Sequence, residues 1–441
     1  MDMPQQASFF EEAAPPPKKP HRARETKTSR SGTFTDNMKL PIHRWFRYSA
    51  GFSAEWVEGL IRTFRPGQSV QVLDPFAGSG TTLVAAAAAG ASSVGFESHP
   101  FVARVARAKL LWSKVSPDAL QAGADDLIEK ARKIPAKTPS VSPLLEKCYS
   151  PEAIAALFSL RDTLHRTPLK DKNTDEMLRL ALTAILRPCS HVGTAQWQYV
   201  LPSRSKAKVL DPFEAMTLKI ADMAEDISFA RSEGFCPNSE IMDQDARQPS
   251  SLRRGSVDLV VTSPPYPNNY DYADATRLEM TFWGEIEGWS DLQQTVRRHI
   301  VRSCSQHTAA ERLKLDDLLA LDEVNVIRDE LTAVCRELET VRLTKGGRKT
   351  YHTMIAAYYA DLSKVFRALR PICAEGSKLC FVIGDSAPYG VHAPAEQWLG
   401  RLATDAGFHS VSFEKLRDRN TKWKNRKHTV PLQEGRLWFE G

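Results

Sequence analysis

The sequence predicts an α/β fold, and three stretches carry this prediction. Residues 70–97 have the pattern of a strand, a tight glycine turn, a helix and a second strand, which is the beginning of a βαβ unit. Residues 256–260 form a short apolar run typical of a buried strand. Residues 351–385 combine a long helical pattern with another buried strand. Strands that alternate with helices are typical of an open α/β sheet.

The composition is that of a soluble globular protein. The 441-residue chain is long enough for two or three structural units, with 42% hydrophobic and 25% charged residues. Its net charge of +6 permits a polyanionic partner without requiring one. Seven scattered cysteines without a CxxC pair argue against a disulfide framework or a zinc ribbon, so we expect a cytoplasmic protein. No apolar run approaches the length of a membrane span, so we expect no membrane partner.

A glycine-rich turn at residues 74–82 indicates a ligand site at the end of the first strand. Gly78 and Gly80 let a ligand approach the backbone closely. Glu97 ends the next strand, where an acid binds ribose hydroxyls in dinucleotide folds. The turn has neither the G-x-G-x-x-G pattern nor the lysine of a P-loop, so it fits a nucleoside without phosphates, such as S-adenosylmethionine. Near the end of a third strand, Asp245 is a candidate acceptor for the adenine amine, unless it lies in an ordinary surface turn.

The segment Thr-Ser-Pro-Pro-Tyr at residues 262–266 is the candidate catalytic loop. Pro264 and Pro265 have no N–H to donate, so the chain must leave the sheet at Ser263. The Ser263 hydroxyl and the Pro264 carbonyl suit the two N–H groups of a planar amine, and Tyr266 suits stacking on its ring. A proline-terminated core strand with an ordinary turn is the alternative interpretation of this segment alone.

Three basic segments are candidates for contact with nucleic acid. We expect residues 1–35 to form a disordered basic arm, because they contain too few apolar residues to offset the entropy of ordering. Aromatic and amide side chains precede a basic loop near residue 204, and a tryptophan lies within a basic run near residue 423. Solvated basic surface is the alternative for each segment. The candidate DNA-binding residues are Arg204, Lys206, Lys422, Lys424 and Arg426.

The motifs at 74–82 and 262–266, taken together, resemble those of the amino-methylating DNA methyltransferases. This resemblance implies a Rossmann-like class I methyltransferase sheet with helical insertions and S-adenosylmethionine as cofactor. Residues 43–56 look like the family's segment that flanks the cofactor. Serine before Pro-Pro-Tyr is typical of the N4-cytosine enzymes, whereas N6-adenine enzymes more often carry Asp or Asn. The resemblance assigns the cofactor to Asp74, Phe76, Ala77, Gly78, Gly80, Thr81, Glu97 and Asp245, and catalysis to Ser263, Pro264, Pro265 and Tyr266.

The resemblance also implies a reaction and its partners. We expect site-specific methylation of the N4 amine of a cytosine flipped out of double-stranded DNA, by a protein that is nucleoid-associated if bacterial. A cognate restriction endonuclease is the family's common context. N6-adenine methylation on the same scaffold is the main alternative, followed by RNA or protein-glutamine methylation and by a catalytically silent DNA-binding module. A C5-cytosine enzyme needs a Pro-Cys loop, and Pro188-Cys189 lies in a helical region instead.

The same resemblance suggests a division of the chain. We predict a catalytic domain formed by residues 36–110, 240–286 and 350–441. Residues 111–239 are predicted to be a mostly helical insertion and a candidate target-recognition region. Residues 287–349 are predicted to be a second, charged helical insertion.

We assign no metal site, because His299 and His307 have no ligand-like partners at useful spacing in the sequence.

Overall fold

The computed structural model describes residues 35–48, 51–134, 141–192, 208–268, 270–419 and 431–441. Within these ranges, seven strands form one sheet. They are β1 Gln71–Asp74, β2 Ser92–Phe96, β3 Ser239–Met242, β4 Val257–Thr262, β5 Cys373–Gly384, β6 His409–Arg419 and β7 Leu432–Glu440.

The described helices lie mainly between β2 and β3 and between β4 and β5. The first eight are α1 Ala54–Phe64, α2 Thr81–Ala88, α3 Pro100–Leu110, α4 Pro117–Arg132, α5 Pro143–Cys148, α6 Pro151–Arg166, α7 Lys172–Cys189 and α8 Pro212–Ser232. The others are α9 Tyr272–Ala275, α10 Arg277–Trp283, α11 Leu292–Thr295, α12 Ser305–Glu311, α13 Leu315–Leu319, α14 Arg328–Val341, α15 Tyr351–Leu369 and α16 Ala395–Asp405. Within the described ranges, no helix is both long and apolar enough to cross a bilayer.

The sheet confirms the predicted Rossmann-like class I fold. Its strand order is β3-β2-β1-β4-β5-β7-β6, and the first five strands of this order are parallel. β7 runs antiparallel between β5 and β6. Because β1 and β4 are neighbours, the glycine turn after β1 and the candidate loop after β4 leave the same edge of the sheet. Ligands of open α/β sheets bind at this edge.

Local sequence signals account for the positions of several helices. Ser53 caps α1 by accepting a hydrogen bond from the Trp56 N–H at 3.3 Å. Ser150 caps α6, whose first residue is Pro151, by accepting one from the Ala153 N–H. The helical pattern predicted within residues 351–385 matches α15, which is buried along nearly all its length. Each of these signals lies within one or two helical turns.

The strand β7 was not predicted. Its sequence contains Glu434, Gly435 and Arg436, which interrupt the alternation of polar and apolar residues that indicates a strand. The structure buries both charged side chains and pairs them with β6: the Arg417 guanidinium contacts Glu434 at 2.9 Å, and Arg436 donates to Glu414 at 2.8 Å. Buried charges are tolerated where such partners exist. The pairing with β7 continues along β6 as far as Arg419.

The helices α4 to α8 pack against one another and are joined to the N-terminal segment through a buried carboxylate. Asp226 on α8 accepts hydrogen bonds from the Ile42 N–H, the Trp45 indole N–H and the Arg44 guanidinium, each at 2.8 Å. A hydrogen bond from a charged guanidinium, such as that of Arg44, is stronger than one between two neutral groups. This contact fixes the segment that leads to Tyr48, next to the glycine turn.

We predict that Gly95→Ala destabilises the sheet. A Cβ at this position of β2 would lie 2.7 Å from the Ala77 Cβ and 2.9 Å from side-chain carbons of Leu83 and Ile241. Overpacking of this kind costs about 1–3 kcal/mol. Gly59→Ala in α1 is the control: nothing lies within 4 Å of the added Cβ, so helix propensity should stabilise that variant. Thermal unfolding should show a lower Tm for Gly95→Ala only; an unchanged Tm would contradict the close packing described.

Candidate active site

A single buried carboxylate joins the two predicted motifs. Asp74, the last residue of β1, accepts hydrogen bonds from the hydroxyls of Thr82 and Thr262, each at 2.6 Å, and from the Phe76 N–H at 3.0 Å. Thr82 lies in the first turn of α2, and Thr262 ends β4 immediately before Ser263. Burial raises the pKa of Asp74 to about 6, and the three hydrogen bonds oppose that rise. Asp74 therefore fixes the glycine turn and the candidate loop relative to each other.

The glycine turn leaves open backbone beside an aromatic ring. Gly78 and Gly80 have positive φ angles of 53° and 84°, a conformation that favours glycine. A Cβ on Gly78 would lie 3.2 Å from the ring of Tyr48. The Ala77 N–H donates to the Phe96 carbonyl at 3.0 Å, which ties the turn to β2. Tyr48 was not singled out from the sequence, although it lies in the segment expected to flank the cofactor.

Glu97 follows β2 and faces the same turn. One carboxylate oxygen accepts from the Gly78 N–H and the other from the His99 N–H, both at 2.8 Å. Burial raises the pKa of Glu97 to about 7, although these backbone hydrogen bonds lower it. Each carboxylate oxygen can accept a second hydrogen bond. Glu97 is thus positioned by the protein and still able to bind two hydroxyl groups.

Asp245 lies three residues after β3 and is paired with Arg247. The Arg247 guanidinium donates to both Asp245 oxygens, with the shortest contact at 2.6 Å, and also to Asp361 on α15 at 3.1 Å. Asp361 is buried and binds Arg302 as well. The sequence did not indicate this network. It fixes the position of the carboxylate predicted to accept the adenine amine and links it to the segment before α12.

The candidate loop leaves β4 as predicted, with Pro264 buried and Ser263, Pro265 and Tyr266 partly exposed. Burial raises the pKa of Tyr266 far above its ordinary value, so the phenol stays protonated. The Ser263 side chain lies close enough to the Tyr266 phenol to lower its pKa. The loop thus places a serine hydroxyl and an aromatic ring side by side at the sheet edge, next to the glycine turn.

An arginine from the distant end of β6 covers the Tyr266 ring. The Arg419 guanidinium carbon lies 5.1 Å from the ring centroid, within the range of a cation–π contact. One Arg419 nitrogen donates to the Asp385 carbonyl at 2.7 Å. A Cβ on Gly384 would lie 2.6 Å from an Arg419 guanidinium nitrogen and 3.1 Å from the Tyr266 ring, so a larger residue there would displace the guanidinium. The Arg419 guanidinium therefore already lies over the ring that is predicted to stack on a base.

The candidate DNA-binding residues lie outside the described residues. This applies to Arg204 and Lys206, to the group Lys422, Lys424 and Arg426, and to nearly all of the predicted N-terminal arm. The second group begins three residues after Arg419 in the sequence.

The comparisons with known proteins agree with this geometry. A family model described as "DNA methylase" matches residues 14–108, which include the glycine turn. The chain is 26% identical over 417 residues to "Type II methyltransferase M.AvaI" of Nostoc sp., an alignment that covers 88% of this chain and 83% of that protein. It is 25% identical over 440 residues to "Type II methyltransferase M.BsoBI" of Geobacillus stearothermophilus, covering 90% and 85%. These matches support the DNA amino-methyltransferase family.

A solved structure, the rRNA methyltransferase aviRa from Streptomyces viridochromogenes, aligns with 90% of this chain and 85% of its own. Its sequence identity of 11% and TM-score of 0.29 are too low to add to the argument. The likeness of this chain to the DNA methylases therefore depends on its sequence relatives and its two motifs.

We predict that the stability of this methyltransferase depends on pH through Glu97. Its pKa is about 7 in the folded protein and near 4.5 when unfolded, so the folded state binds more protons between these values. The free energy of unfolding should therefore fall as pH rises from about 4.5 to about 7. Glu97→Gln cannot ionise, so its stability relative to the wild type should increase across this window. Urea unfolding at several pH values tests this; a difference that does not change with pH would contradict it.

Proposed function

We propose that this protein is a site-specific DNA methyltransferase that transfers a methyl group from S-adenosylmethionine to the N4 amine of a cytosine flipped out of double-stranded DNA. The observation that carries the proposal is the link made by Asp74. It brings the glycine turn and the Ser-Pro-Pro-Tyr loop together at the ligand-binding edge of the sheet. A methyl donor held by the turn and an amine held by the loop would then be neighbours.

The residues present fit the proposed cofactor. In the turn, Gly78 has no side chain that would crowd the neighbouring Tyr48 ring, so a ligand could approach its backbone. The Glu97 carboxylate has free acceptor capacity for ribose hydroxyls. Asp245, held by Arg247, would accept the adenine amine. When bound, S-adenosylmethionine supplies an activated methyl group on its sulfonium, so the protein has mainly to provide position and electrostatics. The remaining contacts would come from Asp74, Phe76, Ala77, Gly80 and Thr81.

The Ser-Pro-Pro-Tyr loop would hold the target base. Tyr266 would stack on the ring, while the Ser263 hydroxyl and the Pro264 carbonyl would accept hydrogen bonds from the N4 amine. These two acceptors would bias the nitrogen toward the tetrahedral geometry of the attacking amine. Serine is a weak base, so the proton would leave to water after the methyl group has moved. Pro265 would keep the loop rigid, and flipping the base would cost a few kcal/mol.

Two observations support DNA as the substrate. The relatives M.AvaI and M.BsoBI are type II methyltransferases, a name that also implies a cognate restriction endonuclease. In addition, Arg419 on the Tyr266 ring leads directly into the basic segment that carries Lys422, Lys424 and Arg426. These residues, with Arg204, Lys206 and the N-terminal arm, would bind DNA phosphates and make the affinity dependent on salt.

We predict distinct effects for changes in the loop. Tyr266→Ala should lower the methyl-transfer rate about 5- to 150-fold, because base–aromatic stacking is worth about 1–3 kcal/mol. Tyr266→Phe should keep the stacking and most of the activity. Ser263→Ala should lower the rate about 100-fold, because it removes a group aimed at the reacting nitrogen. Transfer of a labelled methyl group from S-adenosylmethionine to mixed-sequence duplex DNA measures all three.

Ser256→Ala is the matched control for Ser263→Ala. Ser256 precedes the same strand at its opposite end, and its hydroxyl donates to the Arg253 carbonyl. This variant should keep full activity. Total cellular RNA and protein should be offered as substrates in parallel. Label in RNA or protein but not in DNA would overturn the proposed substrate, and full activity of Ser263→Ala would overturn the role of the loop.

A further inference from the structure

Three potential metal ligands from two segments of the chain lie close together near the candidate loop. Asp271 lies immediately before α9, while Cys304 and His307 lie at the start of α12. Their donor atoms all lie within 4.8 Å of one another. All three side chains are buried, with exposed fractions of 7%, 5% and 0%. Cys304 and His307 have a Cys-x-x-His spacing, which the prediction of no metal site did not take into account.

His307 points to a missing ligand. Among the described residues, neither of its ring nitrogens has a hydrogen-bond partner, although the side chain is fully buried. Buried polar groups are nearly always paired, because an unpaired one loses its bonds to water and gains nothing in return. A metal ion beside His307 would satisfy one ring nitrogen.

The charges around the cluster allow a cation. Arg297 donates to one Asp271 oxygen at 2.6 Å, and the Ala273 N–H donates to the other at 3.2 Å. Ligating carboxylates are commonly held by such outer hydrogen bonds, which orient them toward the metal. The other charged groups that face His307 are Asp361 and Arg247. With the cysteine as a thiolate, Asp271 and Cys304 would each bring a negative charge to the ion, and the Asp271 carboxylate would share its charge between the ion and Arg297.

We propose that Asp271, Cys304 and His307 bind one divalent transition-metal ion, with zinc the best match. Zinc accepts mixed sulfur, nitrogen and oxygen ligands at about 2.0–2.3 Å, so the three donor atoms, which lie within 4.8 Å of one another, would draw slightly closer together around the ion. Binding forms one bond from each ligand atom to the ion, and the Cys304 thiol releases its proton to solvent. A water molecule completes the fourth position. This assignment does not depend on the proposed methyl transfer.

The ion would have a structural role close to the active site. The Asn268 N–H, two residues beyond Tyr266, donates to the Ser303 carbonyl at 2.7 Å. The segment that follows the candidate loop is thereby already in contact with the segment that carries Cys304. A metal between Asp271 and Cys304 would fasten these two segments together. Arg302, in the same segment, binds the Asp361 carboxylate at 2.6 Å, which extends the connection to α15.

Metal analysis of the purified full-length protein tests the proposal. The protein is incubated with excess zinc, separated from free metal by gel filtration and analysed by mass spectrometry for metals. We expect about one zinc per chain, less than a tenth of that in Cys304→Ser and His307→Gln, and no change in Cys335→Ser. Cys335 is an equally buried thiol on α14 that lies outside the cluster.

Cobalt substitution supplies a readout that a merely misfolded variant would not mimic. Cobalt bound by the wild type and by Cys335→Ser should give near-ultraviolet thiolate-to-metal absorption, and Cys304→Ser should lack it. If Cys304→Ser does not fold, a chelator added to the wild type should lower Tm, and zinc should restore it. Absence of both zinc and the cobalt band from the wild type would overturn the site, as would metal binding that both cluster variants retain.

Discussion

The buried carboxylate of Asp74 is the interaction on which the candidate active site depends. It accepts hydrogen bonds from three elements: the glycine turn, the start of α2 and the end of β4. A buried carboxylate without these partners would be costly, and its raised pKa of about 6 indicates how strongly burial opposes its charge. The same three bonds therefore satisfy Asp74 and fix the distance between the two motifs. This geometry explains how segments 180 residues apart in sequence form one site.

The other side of the site depends on charges buried in the antiparallel edge of the sheet. Glu434 on β7 binds Arg417 and is close to Arg419 on β6, and Arg419 in turn covers the Tyr266 ring. The position of β7 between β5 and β6 thus determines what lies over the catalytic loop. In the proposed reaction, an incoming base would exchange places with the Arg419 guanidinium. Arg419 precedes by three residues the first of the basic residues expected to contact DNA, Lys422.

The parts of the fold that the sequence predicts are those encoded by local patterns. The glycine turn, the proline-terminated strand and the helix at 351–369 each carry their signal within a few neighbouring residues, and all appear at the predicted positions. The strand β7 and the Arg247–Asp361 pair depend on partners more than ten residues away, so their charged residues resemble exposed surface in the sequence. The meeting of Asp271 with Cys304 and His307 was unpredictable for the same reason. Long-range pairing of polar groups is what the sequence pattern does not encode.

The central claim is that Ser263 presents the N4 amine of cytosine to a methyl donor held by the glycine turn. Nucleoside mass spectrometry of plasmid DNA from cells that express either the wild type or Ser263→Ala tests it most directly. The account predicts N4-methylcytosine in DNA from the wild type and its loss in the variant. N6-methyladenine instead, or N4-methylcytosine that persists in Ser263→Ala, would contradict the account.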